Sequence, residues 1–296
     1  MYKTVDVDTN RYYNLIMVTT FVDDQCIYKL IKSIANNNKE IEVLLILIIQ
    51  TVPLNRELIN TYALKINLLI VDTGKKLGIS AARNIGIDYV KNNQLQFDFL
   101  MFPDDDTTFD NIFFRNFKTN IKQGNNYLIP IYNQGTFIPY KNYNLKNNTL
   151  LGKNGFKYAG APSIIVGCNS LTDGILFDED LGPGGKYCSS EDLDFYFKIE
   201  NYHKFIFINK IYNFHPSRND KYEKMSYSEI IKRFRAYSFG YIYVMLKYKK
   251  YYPIFKILFT TFGASVLNLS KGNWKMCRAY LAQFFIRIQL VFQLTK

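Results

Sequence analysis

Three consecutive aspartates follow an apolar run in the segment FDFLMFPDDDTTFD, residues 97–110. Adjacent carboxylates repel one another and each resists losing its hydration, so this placement is costly unless a cation neutralises it. Oxygen ligands favour a hard ion such as Mg²⁺ or Mn²⁺, which proteins commonly share with the diphosphate of a substrate. The triplet alone is equally compatible with an acidic turn or a helix cap.

A second acidic cluster lies in FDEDLGPGGKYCSSEDLDFYFKIE, residues 177–200. A glycine-containing loop there leads into a predicted helix whose first turn carries Glu191, Asp192 and Asp194. Carboxylates in a first turn suit the positive end of the helix dipole, so capping is a sufficient structural explanation of these residues by themselves.

The elements that must position these clusters alternate between apolar strands and amphipathic helices. This alternation predicts a doubly wound α/β sheet of mainly parallel strands, in which ligands bind beyond the carboxyl ends of the strands. The aspartate triplet follows the fourth strand and therefore lies at that edge. Strands are predicted at 13–21, 42–50, 66–72 and 97–102, and helices at about 24–37, at 55–64 and from an N-cap at Ser80. Short strands separated by turns are predicted for 125–215.

Three segments in order resemble one family: GISAARNIGI before the fourth strand, FPDDDTTF after it, and FDEDLG followed by SSEDLDFYFK. They are similar to motifs of the family-2 inverting glycosyltransferases of GT-A fold, of the bacterial surface-polysaccharide type. The resemblance covers roughly residues 13–217. It implies a Rossmann-like catalytic domain over 1–220 that transfers a sugar from a nucleotide-diphosphate donor to a hydroxyl of a lipid-linked or growing glycan, with Mn²⁺ or Mg²⁺ as cofactor.

The resemblance also assigns roles to individual residues. Asp192 would be the general base, with Glu191 positioning the acceptor, because the attacking hydroxyl must lose a proton on the side of the sugar opposite the departing diphosphate. The metal ligands would be Asp104, Asp106 and His215. The residues that approach the nucleotide would be Thr19, Phe21, Asp72, Arg83, Asn84, Asp104 and Asp105.

Several of these roles have a structural alternative. Arg83 could form an ion pair on a helix face, Asp105 could be a solvated spectator, and a lone histidine such as His215 is often structural. Asp194 is expected to support the start of its helix, and His203 is expected to be structural.

The sequence departs from the family's pattern at two places. The second strand ends in Gln50 and Thr51, where the family usually has an aspartate that helps to hold the base. That acid is either replaced by Asp72 at the end of the third strand, or the base is recognised differently. The residues before Glu191 read YCSS instead of the more frequent glycine-containing pattern.

The C-terminal region, 221–296, is helical, aromatic and basic. From Met225 onward it holds twelve lysines and arginines and a single acid, Glu229, whereas the whole chain has a formal net charge of +12. An amphipathic tail of this composition favours the anionic inner face of a membrane. Packing on the catalytic domain with solvated lysines is the alternative, and nucleic acid binding is disfavoured. No stretch is expected to supply the roughly 20 apolar residues that span a bilayer.

The remaining features limit the class of protein. Four separated cysteines without metal-site spacing and an N-terminus without a signal-peptide pattern predict a cytoplasmic protein, peripheral on the membrane. A nucleotidyltransferase would need a glycine-rich phosphate loop after the first strand, where TTFVDDQ has no glycine. A non-catalytic protein that binds membranes or nucleic acid is the second alternative.

Overall fold

The structure is a computed structural model that describes residues 10–21, 24–50, 61–62, 65–171, 174–217, 222 and 225–295. The chain forms two compact units. The first comprises Met1–Phe177 and Phe195–Ser217, and the second comprises Asp178–Asp194 and Arg218–Lys296. The domain boundary at residue 220 stays a prediction. The loop 178–194 belongs to the same compact unit as the C-terminal helices.

The first unit is built on an eight-stranded mixed sheet. Its strands are β1 (Tyr12–Phe21), β2 (Val43–Ile49), β3 (Asn67–Asp72), β4 (Gln96–Met101), β5 (Asn126–Leu128), β7 (Thr149–Leu150), β8 (Ile164–Gly167) and β9 (Phe205–Phe207). They lie in the order β3-β2-β1-β4-β8-β5-β9-β7. Strands β6 (Ile131–Asn133) and β10 (Asn213–His215) form a separate parallel pair.

The four strands predicted from the sequence form the parallel half of the sheet, and β8 pairs antiparallel to β4. All seven residues of β2 are buried, as the continuous apolar run predicts for a strand covered on both faces. The chain places β2 and β3 on one side of β1 and β4 on the other. The crevice at this switch point is where ligands of doubly wound sheets bind.

Helices α1 (Asp24–Asn37), α2 (Ile79–Asn92) and α3 (Asn111–Asn120) complete the first half of this unit. The N-cap of α2 is Gly78, so the prediction of Ser80 as the cap is wrong: Ser80 lies inside the first turn and is fully buried. Helix α2 approaches β1 closely at Gly86, where a Cβ atom would lie 2.3 Å from Val18 Cγ1. The helix predicted at 55–64 lies outside the described residues, except for Thr61 and Tyr62.

Helix α4 (Glu191–Glu200) begins at the second acidic cluster. The C-terminal region forms three long helices, α5 (Tyr227–Lys247), α6 (Tyr251–Ser270) and α7 (Trp274–Leu294). Lys249 has φ of +55°, and this left-handed residue lies between α5 and α6. Among the described helices, α6 alone meets the length and composition of a membrane span, with a mean hydropathy of 1.2. The predicted α/β fold with C-terminal helices is confirmed.

Candidate active site

The aspartate triplet lies on a tight turn directly after β4. The backbone N–H of Asp104 donates to Thr107 Oγ1 at 3.1 Å, and the N–H of Thr107 donates back to the carbonyl oxygen of Asp104 at 3.0 Å. Thr107 is fully buried, whereas the three aspartates are partly exposed. The turn therefore anchors the triplet to the core and leaves its carboxylates at the carboxyl edge of the sheet.

His215 reaches this turn because β10 is joined to it by backbone hydrogen bonds. Thr108 and Phe214 exchange two such bonds, of 2.9 and 3.0 Å. The side-chain amide of Gln134 adds a bond of 2.9 Å to the carbonyl oxygen of Asp106. His215 Nε2 consequently lies 2.8 Å from Asp106 Oδ1 and 3.5 Å from Asp104 Oδ2.

These three side chains fit a divalent cation. One ligand atom from each of Asp104, Asp106 and His215 lies within 4.8 Å of the others. Asp106 Oδ1 is buried, and apart from its contact with His215 Nε2 it has no hydrogen-bond partner among the described residues. Two carboxylates suit both Mg²⁺ and Mn²⁺, and the imidazole nitrogen favours Mn²⁺, since Mg²⁺ prefers oxygen ligands.

Tyr140 orients the imidazole of His215. Its hydroxyl donates to the carbonyl oxygen of Pro216, and its oxygen lies 2.7 Å from His215 Nδ1. With the Nδ1 proton directed to these oxygens, Nε2 faces the two carboxylates as the ligand atom. No pattern in the sequence indicates this role for Tyr140, which lies in a loop outside every recognised motif.

The surroundings of the cluster raise the pKa of its histidine and of its middle aspartate. Burial lowers the pKa of His215, but hydrogen bonding and attraction to Asp104 and Asp106 outweigh it and raise the pKa to about 11. Burial and the neighbouring carboxylates of Asp106 and Asp104 raise the pKa of Asp105 to about 6. Without a metal ion, an imidazolium thus supplies positive charge that this group of carboxylates needs.

Arg83 contributes the second cation of the cluster. It lies in α2 and is 1% exposed, and its Nη2 donates to Asp104 Oδ1 at 2.9 Å. Its guanidinium also lies 5.4 Å from the centroid of the Phe177 ring. Arg83 therefore does form an ion pair, as its structural alternative expects, but the pair is formed by a buried guanidinium with the first residue of the aspartate triplet. Contact of Arg83 with a nucleotide stays a prediction.

Asn84 and Gln50 use their amides to hold backbone segments. Asn84 Nδ2 donates to the carbonyl oxygen of Phe177 at 3.1 Å, and the N–H of Phe177 donates to Asn84 Oδ1 at 2.8 Å. Gln50 Nε2 donates to Thr20 Oγ1, while Gln50 Oε1 accepts from the N–H of Leu77. Gln50, at the position where the family usually has an aspartate, thus fixes the loop that leads into α2.

The other residues predicted to approach the nucleotide lie at the carboxyl ends of β1 and β3. Thr19 is buried and its hydroxyl has no hydrogen-bond partner among the described residues. Phe21 is buried in the main hydrophobic cluster. Asp72 is exposed and its Oδ1 accepts a hydrogen bond of 2.9 Å from the N–H of Gly74. Contact of these three with a nucleotide stays a prediction.

The second acidic cluster lies at the start of α4, in the loop of the second unit. Glu191 is buried, Asp192 is half-buried and Asp194 is 0% exposed. Lys247 Nζ lies 2.7 Å from Asp194 Oδ1 and 2.8 Å from Asp178 Oδ2. Asp194 therefore does more than support the helix start: it is half of an ion-pair bridge that ties both ends of the loop to α5.

Close packing attaches the rest of this loop to α5. Tyr187 stacks on Tyr243 with ring centroids 3.9 Å apart. A Cβ atom on Gly240 would lie 2.3 Å from the carbonyl oxygen of Ser189, so only glycine permits this approach. Cys188 and Ser190 have φ of +55° and +67°, so the YCSS segment keeps a left-handed backbone that glycine adopts more easily.

Comparison with known proteins places this geometry in context. The sequence model described as Glycosyl transferase family 2 matches residues 15–173. No curated protein sequence matches the chain significantly. Among solved structures, S. aureus TarS 1–349 has a TM-score of 0.56 and 15% identity, covering 96% of this chain and 92% of that one.

Two further structures share the fold. Another structure of S. aureus TarS has a TM-score of 0.55 and 17% identity, and the match covers 74% of this chain but only 38% of that one. The mannosyltransferase PcManGT from Pyrobaculum calidifontis, in complex with GDP-Man and Mn²⁺, has a TM-score of 0.53 and 10% identity, covering 83% of this chain and 67% of that one. The predicted GT-A fold is thereby confirmed.

Replacing Lys247 tests the ion-pair bridge. We expect Lys247→Met to lower the free energy of unfolding by about 1–3 kcal/mol, because it leaves two carboxylates without their cation. This is less than for a fully enclosed pair, since 32% of the Lys247 side chain is exposed. Hydrogen exchange of residues 178–194 should also increase. The control is Lys232→Met, which replaces an exposed lysine of the same helix. Equal free energies of unfolding in the two variants would contradict a stabilising role of the bridge.

Proposed function

The chain belongs to glycosyl transferase family 2, and from this premise we propose that it transfers a sugar from a nucleotide-diphosphate donor to a hydroxyl of a glycan, with inversion at the anomeric carbon. The acceptor is a lipid-linked or growing glycan of a bacterial surface polysaccharide. Family membership favours this activity over nucleotidyl transfer and over a non-catalytic binding role.

The observation that carries the proposal is the convergence of Asp104, Asp106 and His215 at the carboxyl edge of the sheet. A divalent cation held there, Mn²⁺ or Mg²⁺, would offset the charge that develops on a departing diphosphate. Similar structures support these ligand classes: S. aureus TarS 1–349 was solved in complex with UDP-GlcNAc, and PcManGT with GDP-Man and Mn²⁺. We infer that this chain uses a nucleotide sugar with the same kind of ion.

Four side chains of the chain have separate roles in the proposed reaction. Arg83 holds Asp104 in place and adds positive charge beside the metal ligands. Asp192 accepts the proton of the attacking hydroxyl as it bonds to the anomeric carbon, and Glu191 positions the acceptor. Asn84 is a positioning residue, because its hydrogen bonds to the Phe177 backbone connect the GISAARNIGI segment to the start of the FDEDLG segment.

The membrane part of the proposal rests on the exposed face of α6. Large aromatic side chains project from this helix, with exposed fractions of 75% for Tyr252, 61% for Phe255 and 75% for Phe259. An exposed apolar surface of this kind typically marks an interaction site. The lysines and arginines around it match anionic headgroups, whereas a second copy of the same basic region would repel it.

The buried face of α6 argues that the helix lies in the membrane surface and does not span the bilayer. Arg287 of α7 donates to the carbonyl oxygen of Ile257 and to Thr261 Oγ1, near the middle of α6. A spanning α6 would place this guanidinium near the bilayer midplane, at a cost of about 2.5–3.5 kcal/mol or more. We infer a peripheral protein on the cytoplasmic face, which suits a lipid-linked acceptor.

The metal site is tested by comparing two aspartates. We expect Asp106→Asn to weaken binding of UDP and GDP in the presence of Mn²⁺ by about tenfold or more, because a ligand is lost. Binding in EDTA should change little. Asp88→Asn removes the same charge from an exposed position of α2 and should retain Mn²⁺-dependent binding. Calorimetry measures both, and equal losses in the two variants would overturn the assignment.

The catalytic base is tested by Asp192→Asn. We expect sugar transfer to fall by about 10²–10⁴-fold, the usual contribution of a general base, while nucleotide affinity stays within about twofold of wild type. The assay measures nucleotide diphosphate released from a panel of sugar nucleotides with Mn²⁺ and glycan acceptors. Asp180→Asn, an exposed residue of the same loop, is the control. Near wild-type transfer by Asp192→Asn would refute its role, and no turnover of any donor by wild type would refute the function.

The membrane face is tested without altering any charge. We expect the double variant Phe255→Ser, Phe259→Ser to lower the partition coefficient onto phosphatidylglycerol vesicles by about tenfold or more, because two apolar rings leave the interface. Tyr202→Ser, an exposed aromatic residue of the first unit (72% exposed), is the control. Vesicle co-sedimentation at several salt concentrations measures the effect. Undiminished binding of the double variant would show that α6 is not the membrane face.

A further inference from the structure

Arg287 is a buried cation whose hydrogen-bond partners are neutral. It is 8% exposed in α7. Its Nε donates to Ser238 Oγ at 3.0 Å, and its Nη1 donates to the carbonyl oxygen of Ile257 at 3.2 Å and to the hydroxyl of Thr261. No described carboxylate lies within ion-pairing distance of it. A buried charge without a counter-ion is costly, so this arrangement calls for an explanation.

A cavity of about 340 Å³ opens beside this guanidinium in the second unit. It lies among α5, α6 and α7, and several of its side chains carry hydrogen-bonding groups. Those that matter here are Tyr222, Tyr237, Thr260, Tyr280, Gln283 and Arg287. A cavity lined by a guanidinium together with hydroxyl and amide groups has the donors that an oxyanion site needs.

A second guanidinium packs against two residues that line this cavity. Arg233 of α5 donates from Nη2 to the hydroxyl of Tyr237 at 3.2 Å. Its guanidinium carbon lies 5.7 Å from the ring centroid of Tyr222 and 5.2 Å from that of Tyr237, two residues that line the cavity. Its Nε is buried and donates no hydrogen bond to any described residue. An unsatisfied donor on a cation is an independent indication of a missing acceptor.

Among the described residues, neither of these two guanidinium groups has a carboxylate partner. From Met225 onward the only acid is Glu229, and its carboxylate accepts a hydrogen bond of 2.7 Å from the backbone N–H of Ser226 in the capping box of α5. Burial lowers the pKa of Arg287 to about 10, while Tyr241 and Tyr280 oppose the shift. Arg287 therefore remains charged at neutral pH.

We propose that this cavity binds a phosphate ester through the guanidinium groups of Arg287 and Arg233. Arginine is well suited to phosphate because its planar donors match two oxygens at once. The cavity's volume and its aromatic side chains accommodate an organic substituent besides the phosphoryl group. The ester is carried either by a membrane lipid headgroup or by a soluble phosphorylated glycan. This binding site goes beyond the proposed transfer reaction and does not depend on the metal or on Asp192.

The first test uses inorganic phosphate on the full chain in EDTA, with chloride as the exchanged anion at constant ionic strength. We expect phosphate to raise the melting temperature of wild type, and Arg233→Gln and Arg287→Gln to weaken phosphate binding by at least about fivefold. Arg235→Gln removes the same charge from an exposed position of α5 and should bind phosphate within about twofold of wild type. Arg233 is half-buried, so its variant tests the site even if Arg287→Gln fails to fold.

Two results would overturn the proposal. One is a phosphate-induced shift of equal size in Arg233→Gln, Arg235→Gln and wild type, and the other is no shift in wild type. Vesicle binding then identifies the source of the ester. If a lipid headgroup fills the site, Arg233→Gln binds phosphatidylglycerol vesicles at least about fivefold more weakly than Arg235→Gln does. If a soluble phosphorylated glycan fills it, the two variants bind these vesicles equally, and glycerol phosphate competes with inorganic phosphate in wild type and in Arg235→Gln but not in Arg233→Gln.

Discussion

Repulsion among three adjacent carboxylates is the constraint on which the first unit depends. Asp104, Asp105 and Asp106 cannot all remain ionised at a partly buried strand end without positive charge nearby. Arg83 provides it from α2 and His215 provides it from β10. Each cation comes from a distant part of the chain, so the same electrostatic requirement fixes the position of a helix and of a small second sheet. A bound divalent ion would complete the neutralisation and let the imidazole act as a neutral ligand.

The second acidic cluster follows the same rule with a different cation. Lys247 bridges Asp178 and Asp194, the two ends of the loop that carries Glu191 and Asp192. The pKa of Lys247 is raised, because attraction to these two carboxylates outweighs the lowering effect of burial. Helix α5 therefore helps to hold the loop that carries Asp192, the residue proposed as the general base. Deleting the whole C-terminal region would remove this support together with any membrane surface, so point variants are the sharper experiment.

Sequence reasoning succeeded where a pattern is local. The continuous apolar run of β2 predicted a strand covered on both faces, and the position of the aspartates after β4 predicted their place at the sheet edge. It also grouped His215 with Asp104 and Asp106, although only through family resemblance. What it missed depends on contacts between distant segments. No local pattern around Lys247 or Tyr140 indicates their partners. Likewise, no pattern predicts that the side-chain amides of Asn84 and Gln50 form hydrogen bonds with distant backbone groups. The error at Ser80 arose because Gly78 caps α2 with its backbone conformation and without a side chain.

Packing is observed for one helix of the basic tail, and membrane binding is proposed for another. Helix α5 packs against the acidic loop through Ser189, Tyr187 and Lys247, as a structural extension would. Helix α6 leaves its aromatic side chains exposed, and solvated lysines alone do not account for that surface. Arg287 of α7 connects these two helices, because it donates hydrogen bonds to Ser238 of α5 and to Thr261 of α6. Since no described carboxylate pairs with this guanidinium, the proposed anion would stabilise it further. Occupation of the cavity by a phosphate ester would then stabilise the packing of all three helices, and with it the helix that supports the loop of Asp192.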